Sequence, residues 1–338
     1  MAKEVTPEQI AQIDEMVARA HTALDIIATY DQQRVDRLCQ AVAAAVCDMK
    51  VWAPICDEAV DETSLGDKVT KRNKRNKIKL ILRDCLRQPS VGIIEENPAK
   101  GLVKYAKPAG VIASLVPTTN PCLTPAGQIV YAIKARDVMI CSPHPRAKVV
   151  TNKIIDIIRA TLVREGAPAD IIQGIKDPSI NLTKVLMERC DLGIATGGRP
   201  MVKSAYSSGT PAYGSGAGNA TVIIDDTCNT PERQKEAAEN TRISKTSDFG
   251  SGCSCDGNLV IHESIYDDFV KALVAEGAYL ANEEEAEKLK KVMWDETGHR
   301  LPNTVAISPQ KLALAAGFEI PEDRKFIAVT GGGINDIG

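Results

Sequence analysis

Apolar residues recur at Ile10, Ile13, Met16, Val17 and Ala20, the spacing of one face of a helix. Just before them stands Thr6-Pro-Glu-Gln9: a capping threonine, proline at the first helical position and glutamine three residues after the cap. A second face, Val35, Leu38, Val42 and Val46, predicts a helix over Gln32–Cys47, and helical spacing continues from Arg75 to Leu86. From Gly110 the pattern changes. The apolar runs Val111–Val116, Val138–Cys141, Ile171–Ile175 and Leu192–Ala195 alternate with helical segments near 125–135, 147–164 and 182–188. Short strands separated by helices predict a parallel sheet with right-handed crossovers. Further on, Thr230-Pro-Glu232 caps another helix, Asn258–Ile261 reads as a strand, Ile265–Leu280 as a helix, and Ser308-Pro-Gln310 opens one more. The expected class is α/β, with one domain over 1–235 and a second over 236–338.

Composition narrows the picture. With 338 residues, 44% of them hydrophobic, the chain can bury cores for two domains. A net charge of −3 gives no reason to expect nucleic acid as a partner. The basic stretch Lys68-Val-Thr-Lys-Arg-Asn-Lys-Arg-Asn-Lys-Ile-Lys79 carries no aromatic residues for base stacking and reads as a solvated helix face. Met1-Ala-Lys-Glu-Val5 lacks the apolar core of a signal peptide, and no run is long enough to span a membrane. Ten cysteines without CxxC pairs argue against zinc or a disulfide framework, and for reduced thiols in the cytoplasm.

Two segments carry candidate chemistry. In Ser244-Lys-Thr-Ser-Asp-Phe-Gly-Ser-Gly-Cys-Ser-Cys-Asp-Gly-Asn258, Cys253 sits among glycine and small polar residues before an apolar strand. Gly250 and Gly252 allow a tight bend, and nearby Lys245 with turn amides would favour the nucleophilic thiolate. In Gly110-Val-Ile-Ala-Ser-Leu-Val-Pro-Thr-Thr-Asn-Pro121, a buried strand stops at proline and presents Asn120, whose amide can donate to an oxyanion. His21, His262 and His299 show no metal-ligand spacing and are expected to be structural. No metal is expected.

Together these segments resemble the aldehyde dehydrogenase superfamily, in particular its CoA-acylating branch with acetaldehyde and sulfoacetaldehyde members. Ser142-Pro-His144, Ala195-Thr-Gly-Gly198 and Met201-Val-Lys-Ser-Ala-Tyr-Ser-Ser-Gly209 extend the match, which runs along the whole chain. The resemblance implies an aldehyde-dehydrogenase-like fold: a Rossmann-type cofactor domain with a parallel sheet, then an incomplete α/β catalytic domain. It implies Cys253 as nucleophile and Asn120 as oxyanion donor, with Cys255 a bystander. It also implies NAD or NADP beside Pro117, Thr118, Ser142, His144, Thr196, Gly197 and Gly198, with Gly214 and Gly216 following. Coenzyme A is the implied co-substrate. Hydrolytic members carry Glu-Leu-Gly-Gly near Gly214-Ser-Gly-Ala-Gly-Asn219, whereas no Asp or Glu lies between Met201 and Ile224 here. Without a positioned base, water attack is slow and a thiol such as that of CoA can take the acyl group.

The chain also departs from the family. No Gly-x-Gly-x-x-Gly follows the first strand, and Arg199-Pro200 replaces the family's usual residues after Gly198. Family members continue well beyond Gly338, with a glutamate for the nicotinamide ribose and the subunit-interface segment. The chain is therefore expected to be truncated, with a strand near Lys325–Val329 left as an unpaired edge. Full-length members are expected to form homo-oligomers. Two alternatives stay open: a catalytically silent paralogue binding nucleotide or a partner subunit, and a semialdehyde dehydrogenase relative that reduces acyl phosphates.

Overall fold

The computed structural model describes residues 4–216 and 218–331; the extreme N-terminus, Ala217 in the glycine cluster and the last seven residues of the C-terminal run lie outside them. The chain packs as two units, one of residues 1–64 and 72–217, the other of residues 65–71 and 218–338.

The first unit opens with α1 (Pro7–Ile27), α2 (Gln32–Cys47) and α3 (Met49–Thr63). Thr6 Oγ1 accepts the Gln9 N–H at 3.3 Å and Gln9 Oε1 accepts the Thr6 N–H at 3.1 Å, the reciprocal cap that the sequence predicts. Asp31 caps α2 through the Arg34 N–H at 2.8 Å. Val35, Leu38, Val42 and Val46 are all buried, as the spacing requires. The short α4 (Lys68–Lys71) belongs to the other unit, and α5 (Arg75–Leu86) returns to this one. An antiparallel hairpin follows, β1 (Gly92–Asn97) with β2 (Leu102–Ala106), leaving Ile93, Leu102, Val103 and Tyr105 exposed. Its lack of a buried face explains why hydrophobic patterning did not reveal it.

The sheet comes next: β3 (Val111–Val116), α6 (Leu123–Ala135), β4 (Val138–Pro143), α7 (Lys148–Arg164), β5 (Ile172–Gly174), α8 (Ile180–Arg189), β6 (Leu192–Thr196), α9 (Arg199–Tyr206) and β7 (Ala212–Ser215). Its order is β5-β4-β3-β6-β7, every pair parallel. All residues of β3 and β4 are buried, the mark of central strands covered on both faces. Chain order runs outward from β3 to β5, then resumes at β6 on the other side of β3. The sheet is thus a doubly wound, Rossmann-type array with its switch point between β3 and β6. At its amino edge Asp137 Oδ1 accepts the N–H groups of Ala109 (2.6 Å) and Gly110 (3.0 Å), and Asp191 Oδ2 that of Val111 (2.7 Å).

The second unit contains β8 (Ala220–Ile224), α10 (Pro231–Thr246), β9 (Asp256–Ile261), α11 (Tyr266–Ala275), β10 (Ala278–Leu280), α12 (Glu283–Met293), α13 (Pro309–Ala315) and β11 (Phe326–Ala328). β8 pairs in parallel with β9, over a core of Ile224, Ala238, Phe269, Leu273 and Phe326. Three expectations are corrected here. The helix expected through Leu280 ends at Ala275, because Gly277 turns to φ +102° and the chain re-enters as β10. The segment expected as an unpaired edge is β11, which pairs with β10 from Ala278↔Phe326 to Leu280↔Ala328. And the basic stretch is not a solvated face throughout, since Lys71 and Lys74 are buried on specific partners described below. The packing division falls between Ala217 and Gly218, ahead of the boundary near 235, because β8 pairs with β9 and its Ile224 joins the second core.

Candidate active site

Most of the expected coenzyme residues lie at the carboxyl ends of four adjacent strands. Pro117 and Thr118 follow β3, Ser142 is the penultimate residue of β4 with His144 just beyond its end, Thr196 closes β6 with Gly197 and Gly198 after it, and Gly214 lies in β7 with Gly216 just past its end. The carboxyl edge at a switch point is where open α/β sheets bind ligands, because strand ends and loops diverge there. The His144 N–H donates to Val116 O at 3.0 Å and the Gly197 N–H to Ser215 O at 3.0 Å, which ties neighbouring strand ends together. Ser142 is buried, its hydroxyl 2.7 Å from Thr183 Oγ1. His144 Nδ1 accepts the Arg146 N–H at 3.1 Å, and burial, helped by the Arg146 charge, pushes its pKa down. That favours a neutral ring.

The start of α9 is a poor anion cradle. Pro200 has no N–H, and the amides of Met201 and Val202 donate to Gly198 O at 3.0 and 3.2 Å. The Gly214 N–H is committed to Tyr206 Oη at 2.9 Å, where it ties β7 to α9.

Asn120 is half-buried on the turn between β3 and α6, and its carbonyl accepts the Thr124 N–H at 3.1 Å. Its side-chain Oδ1 accepts a hydrogen bond of 2.6 Å from Lys74 Nζ. Sequence reasoning missed Lys74 because it lies inside the basic run, 46 positions from Asn120.

Cys253, in the second unit, is exposed. The turn before it holds Asp248, Phe249 and Gly250 at φ +53°, +50° and +68°, two of them non-glycine residues in the left-handed region. Such conformations cost ~1–3 kcal/mol each and persist only where surrounding structure fixes them. That structure is a buried network. Asp248, fully buried, accepts from Lys71 Nζ (2.8 Å), Ser251 Oγ (2.5 Å) and the Asp67 N–H (2.9 Å), while its own N–H donates to Thr70 Oγ1 (2.6 Å). Residues 65–71 therefore pin the turn that presents Cys253. At Gly66, φ is +79° and a Cβ would sit 1.7 Å from Asp248 Oδ1. On the other side, a Cβ at Gly218 would come 3.1 Å from Cys253 O, so glycine there lets the chain run close beside the cysteine.

Lys245, expected to support the Cys253 thiolate, has its pKa lowered, first by burial; the cysteine whose charge acts on it is Cys255. The Cys255 N–H donates to Gly252 O at 3.0 Å, closing the turn around Cys253. Among the described residues no three His, Cys, Asp or Glu side chains form a metal cluster, and no single helix is long and apolar enough to cross a membrane.

A family model for the aldehyde dehydrogenase family matches residues 3–292. The chain belongs to the aldehyde dehydrogenase family. Within it, the chain is 39% identical over 322 residues to a sulfoacetaldehyde dehydrogenase of Acholeplasma sp, an alignment covering 93% of this chain and 65% of that relative. An acetylating aldehyde dehydrogenase of Geobacillus thermoglucosidasius has a similar structure, with a TM-score of 0.90 at 31% identity over 97% of this chain and 72% of the other. A propionaldehyde dehydrogenase of Rhodopseudomonas palustris, solved with bound CoA and an acylated cysteine, superposes with a TM-score of 0.81 at 25% identity, covering 94% of this chain and 72% of that one. This aldehyde dehydrogenase chain thus spans 65% of the length of the Acholeplasma relative.

Proposed function

We propose that this chain carries the thiol chemistry of a CoA-acylating aldehyde dehydrogenase, which turns a short aldehyde, CoA and NAD(P)+ into acyl-CoA and NAD(P)H. The observation that carries the reading is an exposed Cys253 on a turn whose strained backbone is fixed by buried Asp248. In this reading the first unit binds the coenzyme and the second supplies the nucleophile.

Cys253 Sγ adds to the carbonyl carbon, and the π pair becomes an alkoxide that accepts from the Asn120 side-chain N–H. A nicotinamide dinucleotide, when bound, supplies the hydride acceptor. The residues present fit one at the switch-point edge, with Pro117 and Thr118 at the end of β3, Ser142 and His144 at β4, Thr196–Gly198 at β6, and Gly214 and Gly216 at β7. At α9 the fit is weaker on the backbone side, where Pro200 has no N–H and the Met201 and Val202 amides are engaged by Gly198 O. With that acceptor bound, the adduct on Cys253 would be oxidised to a thioester held on the Cys253 sulfur. The absence of Asp and Glu between Met201 and Ile224 favours a thiol acceptor over water. CoA thiolate then attacks the thioester, and the Cys253 thiolate leaves. Sulfoacetaldehyde, named for the Acholeplasma relative, is the first aldehyde to test. The exposed apolar residues of the β1–β2 hairpin support assembly with further copies of the chain.

The test is aldehyde-dependent NAD(P)H formation with and without CoA, together with intact-mass detection of acyl-Cys253 in CoA-free samples. Acyl adducts on Cys253 that CoA discharges are the expected result. A carboxylic acid product formed equally well without CoA overturns the acylating assignment.

A further inference from the structure

The reading of Asn120 as oxyanion donor leaves open what fixes its amide, which can rotate and present either oxygen or nitrogen. Lys74 answers this. An ammonium carries donors and no acceptor, so the 2.6 Å contact from Lys74 Nζ must engage Oδ1 and leaves Nδ2 as the end directed elsewhere. The contact is built rather than incidental. Lys74 is only 8% exposed, in a short helical turn stitched to its surroundings on both sides. The Trp52 Nε1–H donates to Arg72 O at 2.9 Å, and the Arg72 guanidinium holds Asp57 Oδ1 and Oδ2 at 3.1 and 2.6 Å. Arg75 Nη1 donates to Cys47 O at 3.1 Å. A flexible lysine is thereby delivered from a fixed backbone to Asn120 Oδ1. Its charge at Oδ1 also draws electron density from the amide and strengthens the Nδ2–H donors, since hydrogen bonds in series polarise one another.

We propose that Lys74 is the positioning residue of the oxyanion site: it locks the Asn120 amide with Nδ2–H outward and makes it a stronger donor. The proposal rests on Asn120 acting as the oxyanion donor. It can be tested without coenzyme or turnover. p-Nitrophenyl acetate transfers its acetyl group to Cys253 Sγ through a tetrahedral oxyanion, with p-nitrophenolate as the leaving group. Iodoacetamide alkylates the same sulfur by direct displacement of iodide, with no oxyanion. The comparison uses rates at Cys253, taken as the difference from Cys253→Ala.

Lys74→Met is expected to slow acylation about 10-fold while alkylation stays within about twofold, the cost of a misplaced or weakened donor. Lys74→Arg should recover most of the loss. In the Asn120→Ala background Lys74→Met should change acylation by less than about twofold, because the two residues act as one unit. Unchanged acylation in Lys74→Met, with Asn120→Ala slowed, overturns the role of Lys74 alone. Equal losses in acylation and alkylation show a folding role and also overturn it. Unchanged acylation in Asn120→Ala overturns the oxyanion reading itself, and the proposal with it.

Discussion

Lys71 Nζ and Asp248 Oδ2 form an ion pair of 2.8 Å, with the side chains 5% and 0% exposed. The pair joins helix α4 to the strained turn that presents Cys253, across 177 positions of sequence. Burying two charges is costly and is offset only when every remaining lone pair is satisfied. Asp248 also accepts from Ser251 Oγ and the Asp67 N–H.

Lys71→Met therefore takes the Lys71 charge away from a buried carboxylate. The expected loss is about 3–5 kcal/mol, the usual consequence of removing one member of a buried pair. The turn should loosen before the rest of the second unit, because its left-handed residues lose the contacts that hold them. Chemical denaturation gives the first quantity, and limited proteolysis between Thr246 and Cys255 reports the second. An unchanged midpoint and an unchanged cleavage rate would show that the pair does not hold the turn.

Gly66 and Gly101 separate strain from collision. Both have positive φ, +79° and +63°, but a Cβ at Gly101 meets nothing within 4 Å while one at Gly66 strikes Asp248. Gly101→Ala should cost only the backbone term, about 1 kcal/mol. Gly66→Ala should cost at least about 2 kcal/mol more, because Asp248 has no solvent-facing alternative to retreat into. Equal thermal shifts for the two variants would mean that the loop around Gly66 moves aside freely.

These relationships show what the sequence makes legible. The α2 limits at Gln32 and Cys47 follow from one periodic face, a local signal, and the structure adds the Asp31 cap. Strands β3, β4 and β6 are legible because they announce themselves as apolar runs with abrupt ends, whereas Pro117, Ser142 and Thr196 come only with the family resemblance. Lys71 and Lys74 were not legible. In a run of twelve residues rich in Lys and Arg nothing local distinguishes them, and their partners Asp248 and Asn120 are distant in sequence. The β11 pairing with β10 was hidden for the same reason: parallel partners are chosen by topology, not by neighbouring residues.

Cys253 and Cys255 should behave differently. Cys253 is exposed at the crest of the turn, while Cys255 is half-buried beside Gly252, its sulfur 3.3 Å from where a Cβ on that glycine would sit. Cys253→Ala should abolish acyl-enzyme formation, and Cys255→Ala should retain most of it. Comparable losses in an acylation assay would remove Cys253 from its assigned role.

Asp137 gives a pH prediction at the edge of the sheet opposite the site. Burial pushes its pKa up to about 6 from 3.8, against the opposing pull of the Gly110 and Ala109 N–H groups and the Arg136 charge. Between these two values the folded chain holds a proton that the unfolded chain has released, so stability falls as pH rises from about 4 to about 6. Above that window the ionised carboxylate costs up to about 3 kcal/mol relative to a neutral group, the size of the shift converted at 1.36 kcal/mol per unit. Asp137→Asn keeps an oxygen to accept from Ala109 and Gly110 and cannot ionise. Its stability relative to the parent should therefore improve with rising pH across that window and level off above it. Denaturation midpoints of the two proteins at pH 4.5 and 7.5 measure this difference. A gap between them that stays constant with pH would show that Asp137 is ionised in the folded protein at both values, and that its two amide donors outweigh its burial.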